Sequence, residues 1–251
     1  MKKTLLILFG FVINFISCQQ KTDLSKTLEE YYALGFPKIE MDWSEQDLEN
    51  AIKSIENLKV KDEFALPKMD SPKSSKYFDK IILELPKVDS NDSLRPNYQF
   101  RKFGEFERFL TRLAFAYGPE ERFQIYYSNE AIEINKLTIQ EITKVGQLYQ
   151  SMVNRMSDSI RQLNKENDIK FEGGILKVYE ASLETHESYN KFDTEDKIEL
   201  AKVISKNLTK VWPLMTNNSK NSLTNQIKSI STENEIKEVR DLYKSLITKL
   251  K

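Results

Sequence analysis

Residues 138–163, TIQEITKVGQLYQSMVNRMSDSIRQL, decide the fold class. Ile142, Val145, Tyr149, Met152, Met156 and Ile160 recur at steps of three and four, the spacing that puts side chains on one face of an α-helix. These 26 residues would make roughly 39 Å of helix. Thr138 followed by Glu141 has the form of a capping box and predicts that the helix starts there.

The same period continues toward the C-terminus. Gly173-Gly174 predicts an interruption, followed by a helix over Ile175 to Tyr189. Thr194 opens another, with Ile198, Ala201, Ile204 or Ser205, Leu208 and Val211 inward, until Pro213 ends it. Asn217 to Ile230 is polar and gives a weaker pattern. Ser231, with Glu233 and Glu235, predicts the start of a last helix that turns Ile236, Val239, Tyr243, Leu246 and Leu250 inward. Long amphipathic helices joined by short connections pack antiparallel. The fold expected is all-α, an antiparallel helical bundle with shorter helices in the N-terminal third.

Proline placement sets that asymmetry. Pro37, Pro67, Pro72, Pro86, Pro96 and Pro119 lie in the first half, and Pro213 alone lies in the second. Short helices are expected over Leu24–Leu34, through Leu48, Ile52, Ile55 and Leu58 after a Ser44 cap, and through Phe78 to Leu85 after Ser71-Pro72. Lys59 to Asp70 reads as a loop. Residues 87–97 are the most linker-like stretch and a candidate sub-boundary. A helix over Tyr98–Tyr117 turns Phe103, Phe106, Leu110, Leu113 and Tyr117 inward and ends at Gly118-Pro119. Residues 122–135 fit either a small β-hairpin, with strands flanking Ser128-Asn129, or a helix and a turn.

The chain opens with an address. Lys2 and Lys3 precede an apolar run, Leu5 to Ile16, too short to cross about 30 Å of hydrocarbon. The run ends in Phe15-Ile16-Ser17-Cys18, and Cys18 is the only cysteine. These four residues resemble the lipobox of bacterial lipoproteins, with Phe15 where that family usually has leucine. The resemblance covers about twenty residues. It implies that residues 1–17 are a signal peptide, that Cys18 becomes the first mature residue carrying acyl chains, that 18–24 form a lipidated tether and that 25–251 form the helical domain. Each buried CH₂ contributes about 0.8 kcal/mol, so two or more chains hold stably. Gln19, not Asp, follows the cysteine, which in that family favours the outer membrane. Gln20 to Asp23 is similar to the short tags that some bacteria use to reach its outer face. Either face remains open.

Without residues 1–17, the chain has 234 residues with 36 basic and 38 acidic side chains, a net charge of −2. That excludes the basic footprint of a general nucleic-acid binder. No second cysteine exists for a disulfide. No cofactor motif occurs: there is no phosphate loop, no Gly-x-Gly-x-x-Gly and no Gly-x-Ser-x-Gly. The single histidine, His186, lies on the stripe of Leu176, Tyr179 and Leu183, which predicts a packed or half-exposed helix residue. Glu180, Glu184 and Glu187 beside it predict a solvated face. One histidine and one lipidated cysteine cannot make a His/Cys zinc site, and no metal site is expected.

The candidate contact surface is Arg95 to Tyr127. It holds five of the eight arginines and ten of the 27 aromatic residues. Arg101, Arg108 and Arg112 share a helix face, with Arg122, Tyr126 and Tyr127 just beyond. Planar guanidinium groups and aromatic rings are enriched at interfaces. The competing reading is an aromatic core with surface salt bridges to Glu105, Glu107, Glu120 and Glu121. Three functions fit. The first is a lipid-anchored, non-catalytic module that binds a protein or an envelope polymer. The second is a small-ligand lipoprotein with a pocket in the Arg–aromatic segment. The third is an envelope hydrolase using paired carboxylates.

Overall fold

The computed structural model describes residues 53, 57, 64, 66–70, 96–118, 121–154, 157–163, 165–188 and 192–250. The helices are α1 (Pro96–Tyr117), α2 (Glu121–Tyr126), α3 (Ser128–Val153), α4 (Asp158–Leu163), α5 (Lys165–Ser188), α6 (Thr194–Val211), α7 (Asn217–Glu233) and α8 (Lys237–Lys249), with a 3₁₀ turn at Trp212–Leu214. No strand occurs among the described residues. The all-α bundle expected from the periodicity is the fold. Of the short helices expected before Pro96, only Lys53 and Asn57 are described, and both are helical. The others, residues 1–17 with the expected signal peptide, Cys18 and residues 87–95 lie outside the described residues.

Residues 122–135 are helix, not hairpin: α2 ends at Tyr126 and α3 begins at Ser128. The apolar alternation of Ile132, Glu133 and Ile134 imitates a strand, yet Ile132 and Ile134 are both buried in α3. Thr138 therefore caps nothing. It lies inside α3, and Thr138 and Glu141 are both buried. Burial on successive residues 137–139 and 141–143 marks a helix enclosed on every side. The contacts divide the chain inside this helix, into one unit ending at Leu137 and another beginning at Thr138.

In the N-terminal unit, α1 buries Phe106, Phe109, Leu110, Leu113 and Tyr117 on one stripe. Each such side chain contributes about 1.5–3 kcal/mol on burial. The Gly118 N–H closes the helix on the Ala114 carbonyl at 2.9 Å.

In the C-terminal unit, α6 starts where the Asp193 side chain accepts the Asp196 N–H at 2.8 Å. It buries Leu200, Ala201, Ile204, Leu208 and Val211. Ile198, expected inward, is only half-buried. The polar stretch after Pro213 is a full helix, α7, with Thr216 as its cap and Leu223, Ile227 and Ile230 inward. The last helix begins at Lys237, not Ser231, because α7 runs on to Glu233. Val239, Tyr243 and Leu246 then face inward on α8. Helix α7 packs on α8 and α5, and α8 packs on α6.

Gly173 and Gly174 do not interrupt α5. Their buried neighbours Phe171, Glu172 and Ile175 tie the helix down on both sides, offsetting a helix cost of about 1 kcal/mol per glycine. Gly146 has a different use. A Cβ there would sit 3.0 Å from Val211 and 3.3 Å from Leu214, so α3 approaches the end of α6 closely because that side chain is missing.

Candidate functional site

The N-terminal unit carries its chemistry where Phe64 and residues 66–70 lie across the helices like a strap. Three side-chain-to-backbone bonds hold it. The Leu66 N–H donates to the Tyr127 hydroxyl at 3.1 Å. The Tyr117 hydroxyl donates to the Pro67 carbonyl at 2.8 Å. The Met69 N–H donates to Glu130 Oε1 at 2.5 Å. Tyr117 and Tyr127 meet edge-on at 5.1 Å, and the Phe64 ring lies 4.7 Å from Tyr126 and 5.3 Å from Phe123. Tyr127 is the one turn residue between α2 and α3 and points inward, while Tyr126, at the end of α2, points outward.

Of the surface residues expected from sequence, Arg112 and Arg122 are exposed. The Arg122 guanidinium lies 4.8 Å from the centre of the Phe123 ring. Tyr126 is 44% exposed, with the Lys68 ammonium 4.3 Å above its ring. Tyr127 is 0% exposed and belongs to the core, not the surface, because its hydroxyl is the anchor for Leu66. Arg101 and Arg108 lie in α1, with side chains outside the described residues. The structure adds exposed Ile125, at 57%, Phe115 and Met69 to this unit.

Glu107 is not a surface ion-pair residue. It is buried on α1, accepts the Thr111 hydroxyl at 3.1 Å, and burial pushes its carboxyl up to about 7. Its position between Phe106 and Leu110 on the apolar stripe was the signal for this. Glu130 is 1% exposed, and burial raises its carboxyl too, with the Met69 N–H and Lys68 only partly offsetting the rise.

The C-terminal unit has a pocket of about 410 Å³ lined by His186, Lys197, Ser229, Ile230, Glu233, Asn234, Glu235 and Ile236. Helix α5 supplies His186, α6 supplies Lys197, and the end of α7 with its connection to α8 supplies the rest. His186 is a packed helix residue, 5% exposed, edge-on to Tyr243 at 5.4 Å. Neither ring nitrogen has a hydrogen-bond partner, and neither does the Tyr243 hydroxyl. Burial, reinforced by the Lys197 charge, lowers the imidazole to about 4, so the ring is neutral at pH 7.

Across the C-terminal unit, Glu172 accepts the Thr216 N–H at 2.6 Å, at the start of α7. Burial alone would raise its carboxyl. Hydrogen bonds from Ser219 and Thr216, with Lys220 nearby, outweigh burial and hold it below the usual range. Glu180, expected in a solvated row, accepts the Ser222 hydroxyl at 2.7 Å.

With both ring nitrogens of His186 unbonded, no nucleophile is paired to it and no carboxylate orients it. Among the described residues, no three His, Cys, Asp or Glu side chains cluster as metal ligands. The class defined is an all-α helical-bundle protein with a pinned aromatic strap in one unit and a buried histidine in the other. No protein-family model, curated protein or solved structure matches the chain.

Proposed function

We propose that the protein is an exported lipoprotein, held in the outer membrane by acyl chains on Cys18, and that its helical body is a non-catalytic module for binding a protein or an envelope polymer. The observation that carries this reading is Phe15-Ile16-Ser17-Cys18 at the end of a short apolar run led by Lys2 and Lys3. No helix among the described residues is long and apolar enough to cross a membrane. The contact surface is the exposed rim of Arg112, Arg122, Ile125 and Tyr126.

Fractionation of the native host tests the anchor. Cys18→Ala moves the protein from the membrane fraction to the soluble one; a variant that still sediments with membranes overturns the reading. For the surface, a photo-crosslinker placed at Tyr126 in intact cells gives a discrete adduct. Arg112→Glu with Arg122→Glu reduces it at least tenfold while helix content stays unchanged. An adduct of undiminished yield removes this surface from the function.

A further inference from the structure

His186 is the only histidine in the chain, and its buried ring makes no hydrogen bond. A neutral imidazole placed this way forgoes both a donor and an acceptor bond. Edge-on packing against Tyr243 of α8 is the contact that holds it. Beside the ring lies room for another position. The pocket of about 410 Å³ is rimmed by two carboxylates, Glu233 at the end of α7 and Glu235 in the connection to α8. Both are exposed, and the neutral ring uses neither.

We propose that His186 is the bolt of an acid-operated latch: on taking up a proton, the ring leaves Tyr243, swings into the pocket toward Glu233 and Glu235, and releases the Tyr243 end of α8. The charges around the ring favour leaving over protonating in place. Lys197 faces it from α6 and repels an imidazolium that stays. From α8 the ring meets the Tyr243 phenol, and Arg240 of that helix is committed to the Asn234 and Glu235 carbonyls at 2.5 and 3.1 Å. On its own helix, Glu184 sits two residues back and is half-buried. The connection is the natural hinge. Asn234 ties it to the His186 main-chain carbonyl at 3.4 Å and to the Ile236 N–H at 3.0 Å, so the connection joins the backbone under the ring to the start of α8.

The closed ring protonates only near pH 4, whereas an open one does so near 6.5. Below pH 6.5 opening therefore captures a proton, and the opening constant rises about 100-fold between pH 7 and pH 4. Because the histidine is single, its ring resonance in the full-length protein is an unambiguous reporter. We expect that resonance to stay in its neutral position down to about pH 5. Amide exchange around Tyr243, corrected for intrinsic rates, should accelerate about 100-fold toward pH 4. Amides around Leu208 of α6 should not follow. In Glu233→Gln with Glu235→Gln the acceleration shrinks several-fold, and in His186→Gln it disappears. A ring titrating near 6.5 with α8 protection unchanged overturns the latch. So does a double Gln variant that opens as readily as the native protein. Should His186→Gln fail to fold, the native titration and the double variant decide the matter.

Discussion

The two units bury ionisable groups of opposite temper. In the N-terminal unit, Glu107 and Glu130 are carboxyls that burial raises. In the C-terminal unit, His186 and Glu172 are both lowered, the first by burial and the second because hydrogen bonds overcome burial. Desolvation always disfavours the charged form, so the residue type and the number of donors aimed at it fix the direction. The lesson is that burial is not a single effect on stability. Glu107, with one hydroxyl for company, is kept neutral, while Glu172, set at the start of a helix with backbone and side-chain donors, is kept charged.

The signs follow by linkage. Glu107 is raised from 4.5 to about 7, so its contribution is fully present below pH 4.5 and is lost as pH rises through 7. His186 is lowered from 6.5 to about 4, so the C-terminal unit is most stable above pH 6.5 and weakens as pH falls toward 4. Glu172 adds to that weakening, since a lowered carboxyl loses its contribution as it is protonated. Mild acid should therefore tighten one unit and loosen the other.

The largest expected effect that could break this contrast is at Glu107. Glu107→Gln keeps an acceptor for Thr111 without a charge, and should stabilise the N-terminal unit by about 3 kcal/mol at pH 8. It should also remove the unit's loss of protection between pH 5 and 8, read from residue-resolved hydrogen exchange. If native protection in α1 is the same at both pH values, the contrast fails. The smaller effect sharpens it. Glu172→Ala leaves the Thr216 N–H without its carboxylate and should cost the C-terminal unit about 2 kcal/mol at pH 7. The cost should shrink in acid as the native carboxyl itself takes up a proton, below the ordinary carboxylate range because its pKa is lowered. Thermal unfolding followed from pH 7 into acid checks it, and a cost that does not change with pH would mean that the bond works without the charge.

Much of the bundle was legible from periodicity, because α1, α6 and α8 each have one apolar stripe and one wet side. Where a helix is enclosed all round, that contrast disappears. In α3, buried Thr138 and Glu141 imitate a capping box and the Ile132–Ile134 alternation imitates a strand, so the helix read from sequence starts ten residues late. Gly173-Gly174 misled for a related reason: local propensity is weak beside the packing of Phe171 and Ile175. The arginine–aromatic segment was visible by composition, but which of Tyr126 and Tyr127 faces inward depends on the strap, 61 residues from its partner in Tyr127. The histidine pocket was hidden further. It needs the end of α7 at Glu233, and the cap-like Ser231 pointed to a different boundary.

The strap carries a consequence for how the molecule assembles. Its bonds span 50 residues from Pro67 to Tyr117 and 61 from Met69 to Glu130, while the helices beneath it close on neighbours four residues away. Loop closure over such spans is slow compared with helix growth. Tyr117, Tyr127 and Glu130 are therefore in place before the segment that satisfies them arrives, and the maturation of this unit is timed by one late docking event. During that interval the unit has its helices formed and its seam not yet closed.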